Sequence, residues 1–156
     1  MAGAVVPLVS VGPEDFDLAA EVLRLTGSGP DVGAVVTFSG ICRDEAGSLS
    51  ALELEHYPGM AEAEIARIAA EAVRRWPLTG LTAIHRVGRI TPVENIVLVV
   101  AASAHRQAAF EAAAFLMDYL KSQAPFWKKE HRADGSAGEW VDAKEADVAA
   151  LERWRG

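Results

Sequence analysis

The residues best suited to chemistry lie at the two ends of one apolar segment, residues 103–130. His105-Arg106 stands near its start, and three lysines follow its apolar part: Lys121, Lys128 and Lys129. The chain as a whole carries a net charge of −7, which argues against binding nucleic acid through overall charge. A local group of cations in so acidic a chain indicates a site for an anion.

His105-Arg106 comes directly after a predicted strand and opens a predicted helix. The free backbone N–H groups and the dipole of a helix N-terminus favour an anion, and an arginine can hold a phosphate with two N–H groups. The alternative, which the residues alone leave open, is an ordinary strand-to-helix junction.

Lys121 lies at the C-terminal end of the same predicted helix. Ala113, Met117 and Lys121 follow one another at four-residue spacing, so they share a helical face. An ammonium at the end of an apolar face is expected to be partly desolvated, which makes Lys121 a candidate base or nucleophile. The alternative is a lysine favourably placed at a helix C-terminus.

Two large aromatic residues stand beside Lys128 in a segment that begins with Pro125 and is not helical. Phe126 and Trp127 next to lysines indicate a pocket wall or a partner surface. Core aromatics beside surface lysines are the alternative.

The length of the predicted helix separates the two cationic ends. Arg106 and Lys121 are fifteen residues apart, or roughly 22 Å along a helix. One small ligand can hardly touch both ends. The sequence therefore predicts either two anion sites or one site built from two copies of the chain, and the second option predicts a symmetric dimer.

Cys42 is the only cysteine, so no disulfide forms within the chain, which is expected to be cytoplasmic. A thiol beside Arg43 could be a nucleophile, but without a partner histidine Cys42 is interpreted as a small buried hydrophobe. Arg43 ends a strand, where functional groups are common, although a solvated arginine is the alternative. The histidines show no metal-ligand spacing, so no metal site is predicted: His56, His85, His105 and His131.

The 156 residues predict one domain, 1–156, that contains these groups. Hairpin-like strand pairs with separate helices indicate an α+β fold. The first ten residues are not expected to act as a secretory signal, and no apolar run reaches membrane-spanning length. Strands are predicted at residues 4–11, 33–41, 51–56, 81–87, 94–103 and 139–141, and helices from residue 13, at 60–76, from 106 to about 123 and at 143–154.

Seven segments in this order resemble the family of molybdopterin synthase catalytic (large) subunits: GAVVTFSGICRD, LELEHYPGM, RRWPL, IHRVGRI, SAHRQAAFEA, FLMDYLKSQAPFWKKE and EWVDA. The resemblance implies an α/β-hammerhead type of α+β fold with an additional small β subdomain. It also implies a sulfurtransferase with no cofactor of its own. The partner would be a small ubiquitin-like sulfur-carrier subunit with a C-terminal Gly-Gly thiocarboxylate, the substrate cyclic pyranopterin monophosphate, and the assembly a homodimer that forms a heterotetramer with the carrier.

The same resemblance implies residue roles. Lys121 would be the principal catalytic amine and Lys128 would assist it. Phe38 and Met117 would line the pocket, and Lys144 would reach the site from a second protomer. Substrate would contact the two lysines and the residues Ile41, Cys42, Arg43, His105, Arg106, Lys129 and Glu130. Two other functions remain open on the residues alone: a non-catalytic module that docks a ubiquitin-like tail, and an unrelated transferase that binds phosphate esters.

Overall fold

The computed structural model describes residues 5–141 and 150–155. This part of the chain forms three α-helices, two β-sheets and a short 3-10 helix, Ala150–Trp154. Among these residues no helix has the length and hydropathy needed to span a membrane. The helices are α1 Leu18–Thr26, α2 Met60–Arg75 and α3 Arg106–Ser122, and the strands are β1 Leu8–Gly12, β2 Ala34–Ile41, β3 Leu49–His56, β4 Leu78–Arg86, β5 Gly88–Ile90, β6 Asn95–Ser103 and β7 Phe126–Arg132.

The larger sheet has the strand order β1-β4-β6-β2. β1 and β4 are parallel, whereas β6 is antiparallel to both β4 and β2. Alternate side chains of β6 enter two different cores, as the two-residue period of a strand requires. Val97, Val99 and Ala101 pack with residues of α2 and α3, and Leu98, Val100 and Ala102 pack with Leu25 of α1. Because helices cover both faces, β6 is apolar along most of its length.

α3 packs on this sheet through small residues at its start and large ones further on. Its buried side chains include four alanines, which allow the helix backbone to approach the sheet closely. Phe115 and Leu116 are fully buried, and the buried face ends at Leu120. Lys121 therefore stands in the last turn, where the apolar face gives way to solvent.

The smaller sheet has the order β5-β3-β7, with both pairs antiparallel. Leu54 of β3 lies opposite Lys128 of β7, and His56 lies opposite Phe126. Side chains paired in this way share a face, so Phe126 and Lys128 lie on the face of Leu54, while Trp127 and Lys129 lie on the other. The predicted α+β class with an additional small β unit is confirmed.

Several boundaries predicted from the sequence were wrong. α1 begins at Leu18, not near residue 13, because the Asp17 side chain accepts a hydrogen bond from the Ala20 N–H at 3.1 Å and caps the helix there. β5 and β7 were not predicted to be strands. The predicted strand at 139–141 is reduced to a single bridge between Val141 and Lys128. Of the predicted helix at 143–154, residues 143–149 lie outside the described residues, and Ala150–Trp154 is a 3-10 helix.

The 3-10 helix is anchored on the outer side of α3. The Trp154 Nε1–H and the Arg153 guanidinium both donate to Asp118 Oδ2, at 2.6 and 2.7 Å. The Trp154 ring also meets the rings of Trp76 and Phe115 edge to face. These contacts tie α2, α3 and the C-terminal turn together behind the end of α3 that carries Lys121.

Candidate active site

A cavity of about 290 Å³ opens where the C-terminal end of α3 meets both sheets. Most of its described lining residues are apolar, and three have polar side chains: His85 from β4, Lys121 from α3 and Lys128 from β7. The remaining lining residues are Gly40, Ile41, Leu52, Leu54, Ile96, Val97, Met117, Leu120, Ala124, Phe126 and Val141. Apolar walls with a few convergent polar groups are typical of a small-molecule or peptide-tail site.

Lys121 and Lys128 reach the cavity from different elements. Lys121 is exposed, so the desolvation expected from the sequence is not present in the single chain. Lys128 is half-buried, and two backbone hydrogen bonds with Val141, at 2.9 and 2.8 Å, hold its strand on the side away from β3. Two ammonium groups that line the same cavity favour the binding of an anion there.

His85 is a third polar residue of the cavity, and sequence reasoning missed it. Its ring stacks on Phe126 with centroids 4.0 Å apart and an interplanar angle of 17°. Burial lowers the pKa of His85 to about 4 from its usual 6.5, and repulsion from Lys121 and His56 acts in the same direction. The imidazole is therefore neutral at physiological pH. The sequence placed His85 only within the predicted strand 81–87, with no motif that marked it as a site residue.

Cys42 lies in an apolar cluster with Leu49, Leu54 and Ile90, and only 3% of its surface is exposed. Burial raises the pKa of its thiol, and the charges of Glu94 and Glu45 raise it further. The interpretation as a buried hydrophobe agrees with this environment. Its backbone N–H donates to the Glu94 carbonyl at 2.8 Å, which leaves that donor committed within the protein.

The other predicted cations do not line this cavity. Arg43, His105 and Arg106 are exposed, and His105 is the N-cap of α3. α3 has seventeen residues, so its first and last turns are separated by roughly 22 Å. The structure thus brings Lys121 and Lys128 together but leaves His105-Arg106 at the far end of the helix.

The remaining predicted residues divide between the cavity and its surroundings. Ile41, 48% exposed, and Met117 line it. Phe38 is exposed on β2, with its ring beside Gly40. Lys129 lies on the opposite face of β7 from Lys128, with its Nζ 5.5 Å from the Trp140 ring centroid. Glu130 shares the face of Lys128 without reaching the cavity lining, and Lys144 lies outside the described residues.

No group of three or more His, Cys, Asp or Glu side chains that could hold a metal ion is present in residues 5–141 and 150–155. The polar side chains that line the cavity within these residues are two lysines and one neutral histidine, with no carboxylate among them. The arrangement can bind an anion and can exchange protons with it through an amine.

Comparison with known proteins places the chain in a family. The MoaE protein family matches residues 11–123. The molybdopterin synthase catalytic subunit of Mesorhizobium japonicum is 72% identical over 155 residues, which cover 99% of this chain and 98% of the relative. The molybdopterin biosynthesis MoaE protein from Burkholderia ambifaria is 48% identical, with a TM-score of 0.82 over 95% of this chain and 97% of that structure.

A more distant structure shows the same fold. It is a protein–protein complex of subunits 1 and 2 of molybdopterin-converting factor from Helicobacter pylori, 21% identical, with a TM-score of 0.68 over 90% of this chain and 91% of that one. The chain belongs to the MoaE family. The family predicted from the sequence motifs, that of the molybdopterin synthase catalytic subunits, is confirmed, and with it the enzyme class, a sulfurtransferase.

Proposed function

We propose that the chain transfers sulfur from the thiocarboxylated Gly-Gly tail of a small ubiquitin-like carrier to cyclic pyranopterin monophosphate, forming the molybdopterin dithiolene in two successive transfers. The convergence of Lys121 and Lys128 on one cavity whose other described lining residues are mostly apolar carries this proposal. A thiocarboxylate is an anion, and charge interactions with it strengthen once a tail displaces water from apolar walls. The family membership of the chain supports the same reaction.

Lys121 is proposed to be the principal catalytic amine. It stands at the end of a rigid helix and is exposed at the cavity, so it is accessible to an incoming tail. In this position it either transfers a proton or accepts the acyl group transiently as the thiocarboxylate loses its sulfur. Lys128 is more buried and lies on a strand fixed on both sides, which suits binding of the substrate or an intermediate.

The complete site is proposed to need two copies of the chain. Arg43, His105 and Arg106 supply the donors that a cyclic phosphate requires, but the last two lie a helix length from Lys121. In a symmetric dimer the start of α3 in one copy can approach the cavity of the other. One carrier bound to each protomer then gives the heterotetramer.

A docking function without catalysis has one observation in its favour. Trp127 is 47% exposed on the face of β7 away from the cavity, where a partner protein could cover it. That function predicts that the wild-type chain binds the thiocarboxylated carrier but forms no dithiolene from authentic pterin substrate.

The Lys121→Ala variant tests the catalytic assignment. Supplying a preformed thiocarboxylated carrier separates sulfur transfer from sulfur loading. Loss of a catalytic amine is expected to lower the rate of dithiolene formation by at least ~100-fold. Arg74→Ala is the matched control, because it removes one cation from the exposed surface of α2. Near-normal product formation by Lys121→Ala would remove the assignment.

A further inference from the structure

His85 is the one side chain of the described cavity lining that is well suited to accept a hydrogen bond. The other polar side chains there are lysines, whose ammonium groups only donate. The thioether of Met117 is at most a weak acceptor. Among the described side chains that line this cavity, a ligand therefore finds two cationic donors and one good acceptor.

The acceptor atom of His85 is defined by its contacts. Nδ1 lies 2.8 Å from the carbonyl oxygen of Arg86, and a carbonyl can only accept, so Nδ1 carries the proton. The proton on Nδ1 leaves Nε2 of the neutral ring with a free lone pair. Stacking on Phe126 fixes the ring plane. Among the described residues, Nε2 has no hydrogen-bond partner.

The groups around His85 keep the ring neutral. Lys121 faces it from α3, Lys128 lines the same cavity from β7, and His56 lies beyond Phe126 on β3. Among the lining residues that the structure describes, none is a carboxylate. Protonating His85 would place a third positive charge among these groups in a partly buried position, so Nε2 remains an acceptor across the physiological range.

The ligand that complements this wall has an anionic end and an N–H donor close to it. The last residue of a peptide tail combines both, because its own amide N–H is separated from its terminal carboxylate by a single carbon. A glycine also brings no side chain into a cavity of about 290 Å³. We propose that Nε2 of His85 accepts a hydrogen bond from the backbone N–H of the carrier's terminal glycine while Lys121 and Lys128 hold its thiocarboxylate. This inference rests on the proposed function.

A binding cycle tests the hydrogen bond without relying on turnover. The chain is titrated with carrier that ends in an ordinary, unreactive carboxylate, and with semisynthetic carrier whose terminal glycine is N-methylated and so lacks the N–H. His85→Phe keeps an aromatic ring against Phe126 but removes the acceptor, and His85→Gln keeps an acceptor. His56→Phe is the control, because His56 also contacts Phe126 but does not line the cavity.

Loss of one such hydrogen bond is expected to raise the dissociation constant for the carrier roughly 5-fold to 10-fold in His85→Phe, with partial recovery in His85→Gln. N-methylation should weaken binding to the wild type by a similar factor and have no further effect on His85→Phe. His56→Phe should stay within about twofold of the wild type, and thermal unfolding should show that all variants are folded.

Equal carrier affinity of the wild type and His85→Phe would overturn the inference, and so would additive effects of N-methylation and substitution. A change confined to the KM for the pterin substrate would also overturn it, because the donor would then belong to the pterin. Failure of the wild type to form dithiolene from a thiocarboxylated carrier is a separate result, which would overturn the proposed function as well. A 15N spectrum of the imidazole gives an independent readout: Nε2 should be unprotonated at neutral pH and shift when the carrier binds.

Discussion

The Gly33→Ala substitution is expected to destabilise the chain strongly although Gly33 is exposed. A Cβ built on Gly33 would lie 2.2 Å from the carbonyl oxygen of Ala104, which is backbone and cannot swing aside as a side chain would. The Gly33 N–H also donates to the Ser103 carbonyl at 3.0 Å, so β2 and the end of β6 are held together at this point.

The magnitude follows from two contributions. An ordinary carbon–oxygen contact needs about 1 Å more than this gap, so the strand and the residue before the α3 N-cap must separate. Overpacking of this kind costs about 1–3 kcal/mol. Losing the Gly33–Ser103 hydrogen bond adds about 1 kcal/mol. The sum, roughly 3 kcal/mol, corresponds to a fall in Tm of about 6–12 °C for a chain of this size.

Urea and thermal unfolding of Gly33→Ala measure the effect, with Gly29→Ala as the matched control. A Cβ on Gly29 meets nothing within 4 Å, so that substitution should be neutral or stabilise by up to ~1 kcal/mol through the unfolded chain. Surface substitutions usually change the free energy of unfolding by no more than about 0.5 kcal/mol. If the free energies of unfolding of Gly33→Ala and Gly29→Ala differ by less than this, the steric reasoning is refuted.

Two further predictions concern strain and pH. Val93 has a φ of 70°, in the left-handed region, and its side chain is 87% exposed. Val93→Gly therefore relieves backbone strain at little packing cost and should raise the free energy of unfolding by about 1 kcal/mol. Urea unfolding should show a higher midpoint with an unchanged slope. The pKa of His85 is near 6.5 in the unfolded chain, whereas burial lowers it to about 4 in the folded chain. The contribution of neutral His85 to the free energy of unfolding is therefore fully present above pH 6.5 and is lost as the pH falls towards 4, by up to ~3 kcal/mol. The His85→Phe variant lacks this group, so its free energy of unfolding should change less with pH between 6.5 and 4. Parallel profiles for the two proteins would contradict the assignment.

The residues whose positions could be predicted from the sequence are those whose neighbours within a few positions of the chain determine their environment. The helical spacing of Ala113, Met117 and Lys121 placed the lysine at the end of an apolar face, and the structure places all but Ala113 in the cavity wall. Cys42 had no partner in sequence, and it is buried in an apolar cluster.

The residues that were missed depend on pairing between distant strands. Phe126–Arg132 has polar residues on both faces and shows no two-residue alternation, so only its register with β3 reveals it as a strand. His85 lines the cavity because β4 and the end of α3 both border it, and Phe126 of β7 stacks on its ring. Neither contact leaves a local signal, since the partners are about forty residues apart in the chain.

The geometry of α3 also limits which length changes this fold can accept. Inserting or deleting one residue within α3 would turn Lys121 by about 100° around the helix axis and shift it by ~1.5 Å relative to the start of the helix. His105-Arg106 would keep its place while the ammonium left the cavity wall. The loop at residues 44–48 carries no such constraint, because it lies between β2 and β3 and holds none of the residues proposed for the site. α3 thus acts as a spacer of fixed length, and changes in chain length are accommodated in the loops around it.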